Sequence, residues 1–296
     1  MEYYHVDVFS ERLLSGNGLT VVFSERLLSG NGLTVVFPDR PLDSDEMLKI
    51  TQELRQFETI FIYEKNAAGA YPVRIFTMDE ELTFAGHPIL GAGAVLHRIH
   101  CCSEKAEFIF DLSGRNVFVS SEIKDNRYNV TMNQGAPTYA GSVRKSHYGE
   151  IAHALGLEAS DIHDVLPIEV VSTGLDYLLV PLRHGIDRTK INISEFEAFL
   201  CRLGAKFVYV FDTDSLECRT WDNNGTTEDV ATGSAAGPLC AYLVKHGIAS
   251  SEEVVNIHQG RFVHRPSVIK AWMDSASGEV FISGDVSFFA AGEISI

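Results

Sequence analysis

Residues 73–98 read VRIFTMDEELTFAGHPILGAGAVLHR and residues 218–245 read CRTWDNNGTTEDVATGSAAGPLCAYLVK; the two stretches carry one pattern. Each sets an arginine two residues before an aromatic (Arg74 and Phe76; Arg219 and Trp221), passes a Gly-polar turn, and enters a small, apolar run long enough for a helix. With Gly86 laid on Gly233, an offset of 147 residues, Ala94 falls on Ala241, Leu96 on Leu243 and Arg98 on Lys245. That offset is close to half of the 296-residue chain. The echo predicts two pseudo-symmetric domains whose equivalent helices point at a shared cleft.

Outward from the pattern, both halves alternate many short strands with few helices. Ser44 is expected to cap a helix reaching Gln56, with Met47, Ile50 and Leu54 on its apolar face. FETIFIY at 57–63 reads as a strand, followed by strands at 72–77, 106–111, 116–122 and 127–132 and a helix at 88–99. The second half predicts a helix near 146–155, strands near 167–172 and 176–182, and a helix opened by Ser194 with Glu197 in a capping box and closed by Gly204. Strands KFVYVF and ECRTW, a helix at 234–246 and strands near 268–273, 278–283 and 286–296 complete it. The fold class is α+β, divided into residues 1–137 and 138–296, with the last strand near 286–296 completing the first domain.

Composition narrows the function. At 45% hydrophobic and 22% charged the chain is an ordinary globular protein, and a net charge of −16 repels phosphate backbones and anionic lipid. Nucleic-acid and membrane partners are therefore not expected. The five cysteines, Cys101, Cys102, Cys201, Cys218 and Cys240, form no CxxC pair and read as reduced thiols of a cytoplasmic protein. MEYYHVDVF begins with strand-like alternation rather than a basic leader, and no apolar run approaches about 18 residues.

One segment is anomalous: FSERLLSGNGLTVV occupies residues 9–22 and again, unchanged, residues 23–36. Structural repeats drift and are longer, so an identical tandem pair reads as a recent duplication or an assembly error rather than a functional device. The unit is strand, turn, strand, and a second copy inserted as a further strand would misplace everything downstream. One copy is expected to be extruded while the other keeps the hairpin.

The candidate chemistry sits at the two turns. Gly86-His87-Pro88 and Thr232-Gly233-Ser234 each open a helix, Pro88 suiting a first turn and Ser234 a cap, so that backbone amides and a positive dipole end face outward. Ordinary capping of two core helices accounts for either turn; paired, they fit a carboxylate or phosphate site. Glu58, beside Phe57, Ile60 and Phe61, reads either as a solvated strand end or as a carboxyl whose neutral form is favoured, which suits proton transfer. His87 reads as a satisfied turn residue or an acid–base group, and Glu228 and Asp229 precede the second turn. Gly91-Ala92-Gly93 lacks the third glycine of a dinucleotide fingerprint, and no P-loop, HExxH, GxSxG or EF-hand spacing occurs.

VDVFSERLLSGNGLTVVF, ELRQFETIF, RIFTMDEELTFAGHPILGA, VSTG at 171–174, EDVATGSAAGPL at 228–239, HQGR at 258–261 and SGD at 283–285 span nearly the whole chain. In this order they resemble the PhzF-like phenazine-biosynthesis isomerases, which share the diaminopimelate epimerase fold. The resemblance implies two domains, each a β-barrel-like sheet around a central helix, an active site between them, and commonly a homodimer. It also implies a cofactor-independent isomerase that moves a proton on a small cyclic or unsaturated carboxylic acid. Glu58 matches the acid–base glutamate, His87 the active-site histidine, and Asp229 and Ser234 the supporting aspartate and serine; Gly86 and Gly233 supply substrate-binding amides. The alternatives are a non-catalytic carboxylate-binding protein of this fold, or an amino-acid racemase. Racemases of the fold use a cysteine in each domain, and no cysteine occupies either Gly turn here.

Overall fold

The computed structural model describes residues 1–9, 31–56 and 58–294. The elements are β1 (Glu2–Val8), β2 (Asn31–Phe37), α1 (Ser44–Leu54), β3 (Glu58–Ile62), β4 (Tyr71–Phe76), β5 (Glu81–Leu82), α2 (Gly86–His100), β6 (Lys105–Leu112), β7 (Arg115–Lys124) and β8 (Arg127–Gly135). They continue with β9 (Thr138–Ser142), α3 (Tyr148–Ala154), β10 (Glu169–Ser172), β11 (Asp176–Leu182), α4 (Phe196–Arg202), β12 (Phe207–Asp212), β13 (Glu217–Arg219), α5 (Gly233–Lys245), β14 (Val255–Gln259), β15 (Ser267–Met273) and β16 (Val280–Glu293). Two compact units result: Met1–Asn133 with Ser283–Ile296, and Gln134–Ile282.

In the first unit the strands follow the order β1-β2-β3-β4-β6-β7-β8-β16, and β16 pairs back onto β1, closing an eight-stranded barrel. Closure gives each of these eight strands a neighbour on both sides. α2 packs against β1, β2, β3, β6 and β7, and its residues from Gly86 to His97 are all buried, so it is the barrel's core. Its glycines have a packing reason: a Cβ on Gly91 would collide with Leu33, and one on Gly93 with Val119.

The second unit repeats the connectivity. Hairpin β1–β2, crossover α1, parallel β3, antiparallel β4, crossover α2 and parallel β6 correspond to β10–β11, α4, β12, β13, α5 and β14. Its strands follow β15-β14-β13-β12-β11-β10-β9, and α5, buried from Gly233 to Leu243, packs on β15, β10 and β11. Two parallel crossovers per unit account for the α+β character within largely antiparallel sheets.

Several local expectations are corrected. Ser44 does not cap α1: Asp43 does, its Oδ1 accepting the Glu46 amide at 2.8 Å while Glu46 Oε2 accepts the Asp43 amide at 3.1 Å. Ser44 instead accepts from Arg74 Nη2 at 2.7 Å, and α1 stops at Leu54 because Arg55 turns left-handed (φ 53°). No capping box forms at Ser194 and Glu197, since α4 begins only at Phe196. Ser234 is not the cap of α5 but its second residue, behind Thr232. The two terminal strands are one continuous strand, β16, and β5, β9 and β14 lie outside the expected strands.

β1 pairs with β2 in the register Val8 to Asn31, so the strand of the hairpin comes from the second copy of the duplicated segment. The expected extrusion of one copy falls on residues 10–30, outside the described residues, as does Phe57.

Candidate active site

In the first unit the parallel pairing of β2 with β3 sets Leu33 opposite Glu58, the first residue of β3. α2 then delivers His87 in its first turn. Nε2 of His87 stands 2.8 Å from Oε2 of Glu58, with side chains 5% and 17% exposed. On the other side of the ring, Nδ2 of Asn31 lies 3.4 Å from Nδ1. An amide nitrogen only donates, so in the neutral ring this contact places the imidazole proton on Nε2, the nitrogen 2.8 Å from the Glu58 carboxylate. The trio is a half-buried carboxylate, a buried imidazole and a buried amide, assembled from β3, α2 and β2. Gly86 heads α2 after the extended Ala85, with Pro88 two residues on, as the sequence anticipates.

In the second unit Asp229 and Thr232 are joined by a hydrogen bond from Thr232 Oγ1 to Asp229 Oδ2 at 2.5 Å. Ser234 is buried, its hydroxyl 2.7 Å from that of Tyr177. Gln134 Nε2 donates to the backbone oxygen of Gly233 at 2.8 Å and its Oε1 accepts from Thr173 at 2.9 Å. Gly237 leaves room for the Gln134 amide, which an added Cβ would displace.

Glu228 is not part of this chemistry. It meets Arg219 in a two-point ion pair (Nε to Oε1 2.9 Å, Nη2 to Oε2 2.6 Å), and the guanidinium lies against the rings of Trp221 and Phe262. Arg74 and Glu81 form the same fork in the first unit (2.7 and 2.5 Å), with Arg74 over Phe76. The repeated Arg-x-aromatic is thus a clamp that ties a strand to the segment leading into the central helix.

The two units differ where chemistry would differ. β3 opens on Glu58, whereas its counterpart β12 opens on Phe207-Val208; His87 is replaced at the 147-residue offset by Ser234. Burial pushes the Cys240 thiol up to about 12 and raises that of Cys218 further, so both stay protonated and neither is a ready base. Among the described residues no three His, Cys, Asp or Glu side chains group as metal ligands, and no helix is long and apolar enough to cross a membrane.

Around the anticipated residues stand Asn31, Gln134, Thr173, Tyr177, Tyr209 and Gln259, together with Thr232 of the second Gly turn. Asn31, Thr173, Thr232 and Gln259 lie in the GNGL, VSTG, ATGS and HQGR stretches, whose amide and hydroxyl side chains have no diagnostic spacing, and Gln134, Tyr177 and Tyr209 lie in no motif.

A helix-filled barrel, repeated in topology, with an acid–histidine pair at the mouth of one central helix defines an epimerase-like fold class. The phenazine biosynthesis-like protein (PhzC-PhzF) family model matches residues 6–292, and the chain belongs to that family. It is similar to the trans-2,3-dihydro-3-hydroxyanthranilate isomerase of Pseudomonas chlororaphis, 30% identical over 99% of this chain and 98% of that one. Among solved structures it is similar to a predicted epimerase of Pseudomonas aeruginosa, PA4716 (38% identity, TM-score 0.90, 100% and 99% covered). A probable proline racemase from Agrobacterium radiobacter shares the fold alone (12% identity, TM-score 0.69, 100% and 93% covered).

Proposed function

We propose that this protein is a cofactor-independent isomerase that relocates a proton on a small cyclic or unsaturated carboxylic acid, with Glu58 as the general acid–base. The observation that carries the reading is the Glu58–His87 pair at 2.8 Å, positioned by Asn31. The Glu58 carboxylate takes a proton from one substrate carbon, leaving an anion delocalised through the conjugated system, and the carboxylic acid so formed returns the proton to another carbon. His87 steadies the carboxylate and passes protons through Nε2. In the second unit Asp229 is the further acid–base group, and Ser234 with the amides heading α5 binds a carboxylate; Gly86 serves likewise at α2. Family membership supports the reaction class, and β12 opens without a carboxylate or cysteine to match Glu58, which disfavours the equivalent paired bases of a racemase.

The test is proton exchange in D₂O followed by NMR, using trans-2,3-dihydro-3-hydroxyanthranilic acid and a panel of small unsaturated carboxylic acids. Deuterium is expected at a ring or allylic carbon with the unaltered protein. Glu58→Gln should lower the rate by more than about a hundredfold while keeping the fold. An unchanged rate removes Glu58 from the reaction; no exchange with any compound in a folded sample leaves a carboxylate-binding protein.

A further inference from the structure

Gln259, the last residue of β14, is 1% exposed and commits every hydrogen-bonding position of its side chain within the second unit. Nε2 donates to the backbone oxygen of Asp229 and to Oγ1 of Thr232, both at 2.9 Å. Oε1 accepts the Thr232 amide at 3.0 Å and the Tyr209 phenol at 2.9 Å. Two donors and two acceptor sites are what a primary amide owns, so the group is saturated.

Saturation gives the network a direction. Thr232 Oγ1 accepts from Gln259 and has one proton to give, which goes to Oδ2 of Asp229 at 2.5 Å. An ionised carboxylate only accepts, so the hydroxyl cannot be reversed. At the far end, burial pushes the Tyr209 phenol well above its ordinary range, keeping it a donor to Oε1. Gly260 makes the approach possible: its φ is 86°, and a Cβ there would collide with the backbone oxygens of Val230 and Arg265. The Gln-Gly corner therefore seats directly against the turn that carries Asp229.

We infer that Gln259 is a positioning residue which, acting through Thr232, holds the Asp229 carboxylate in one orientation ahead of α5. The inference rests on the proposed role of Asp229. Packing by itself does not require this side chain: a leucine would fill similar space but could neither grip the Asp229 backbone nor direct the Thr232 proton. A glutamate would accept from Thr232 and Tyr209 yet oppose two further acceptors without a proton to offer.

The experiment measures deuterium exchange with trans-2,3-dihydro-3-hydroxyanthranilic acid for Thr232→Val and Thr232→Ser, each with Asp229 intact and on an Asp229→Asn background. Thr232→Val keeps the shape and removes the hydroxyl; it should lower kcat by at least about tenfold with little change in KM, and Thr232→Ser should restore most of it. If the effect runs through Asp229, Thr232→Val costs nothing more once Asp229 is Asn. Equal losses on both backgrounds indicate simple packing and overturn the inference. An Asp229→Asn variant as fast as the unaltered protein instead removes the role of Asp229, a distinguishable failure. Crystal structures of Gln259→Leu and Thr232→Val give a readout independent of turnover: the Asp229 carboxylate should leave its present orientation, and an unmoved carboxylate in both overturns the inference whatever the substrate. Should Gln259→Leu fail to fold, Thr232→Val decides.

Discussion

Asn31 and Glu58 flank opposite nitrogens of one imidazole: Nδ1 of His87 lies 3.4 Å from the Asn31 amide, and Nε2 lies 2.8 Å from the Glu58 carboxylate. Asn31 thereby selects the tautomer that carries its proton on Nε2, the nitrogen nearer Glu58. Asn31→Ala should lower exchange by about tenfold, roughly 1.4 kcal/mol of transition-state stabilisation, while Asn31→Asp, which offers no N–H when ionised, should do no better. Imidazole ¹⁵N shifts check the cause: the neutral ring of His87 is expected to change from a predominantly Nε2-protonated form to a mixture.

The two arginine clamps have the same fork in different surroundings. Arg219 and Glu228 are 9% and 8% exposed, Arg74 and Glu81 27% and 39%. Removing one partner of a buried pair strands the other, so Arg219→Met should cost about 3–5 kcal/mol. Arg74→Met should cost no more than about 1 kcal/mol, since water screens the glutamate left behind. Urea unfolding of the two variants measures both; equal losses would contradict the distinction.

Two glycines give opposite expectations for the same substitution. Gly91→Ala drives a methyl into Leu33, with Val6 and Val8 behind it, and should destabilise by about 1–3 kcal/mol through overpacking. Gly149, in α3, has nothing within 4 Å of an added Cβ. Gly149→Ala should therefore stabilise by about 0.4–1 kcal/mol by restricting the unfolded chain. Thermal and urea melts read the signs directly.

Glu169 provides an acid-sensitive contact. Burial pushes its carboxyl up, but hydrogen bonds from Lys245, Ser142 and His246, with the Lys245 charge, outweigh that and leave it below the ordinary 4.5. A depressed folded value means the stabilisation is present above the unfolded value and lost as pH falls through the folded one. The stability difference between the protein and Glu169→Gln should thus be constant above about pH 5 and shrink as pH drops below about 4.5. Urea melts across that interval test it; a difference that grew on acidification would reverse the sign.

Much of the frame was readable because it is local or repeated. The apolar runs after Gly86 and Gly233 predict α2 and α5, and the 147-residue echo predicts that they are equivalent cores. Errors of one or two residues at Ser44, Ser194 and Ser234 arose because adjacent polar residues, Asp43 and Thr232 among them, compete for the same helix-end position and only backbone geometry chooses between them. The echo extends to Glu81 and Glu228, which stand five residues before Gly86 and Gly233, but nothing in that spacing shows that each grips an arginine.

By itself the sequence determined the α+β class, the two helix starts and the acidic and histidine candidates, since periodicity, turn residues and motif order are properties of neighbouring positions. The tertiary structure decided which candidates meet. Glu58 and His87 come together because a parallel crossover returns β3 beside β2 and α2 then threads the barrel it helps to form. Gln259 reaches Thr232 and Asp229 because β14 pairs in parallel with β13 after α5 has crossed over. Such contacts depend on sheet register and on which polar groups remain to be satisfied once the core has closed, and long-range packing settles both.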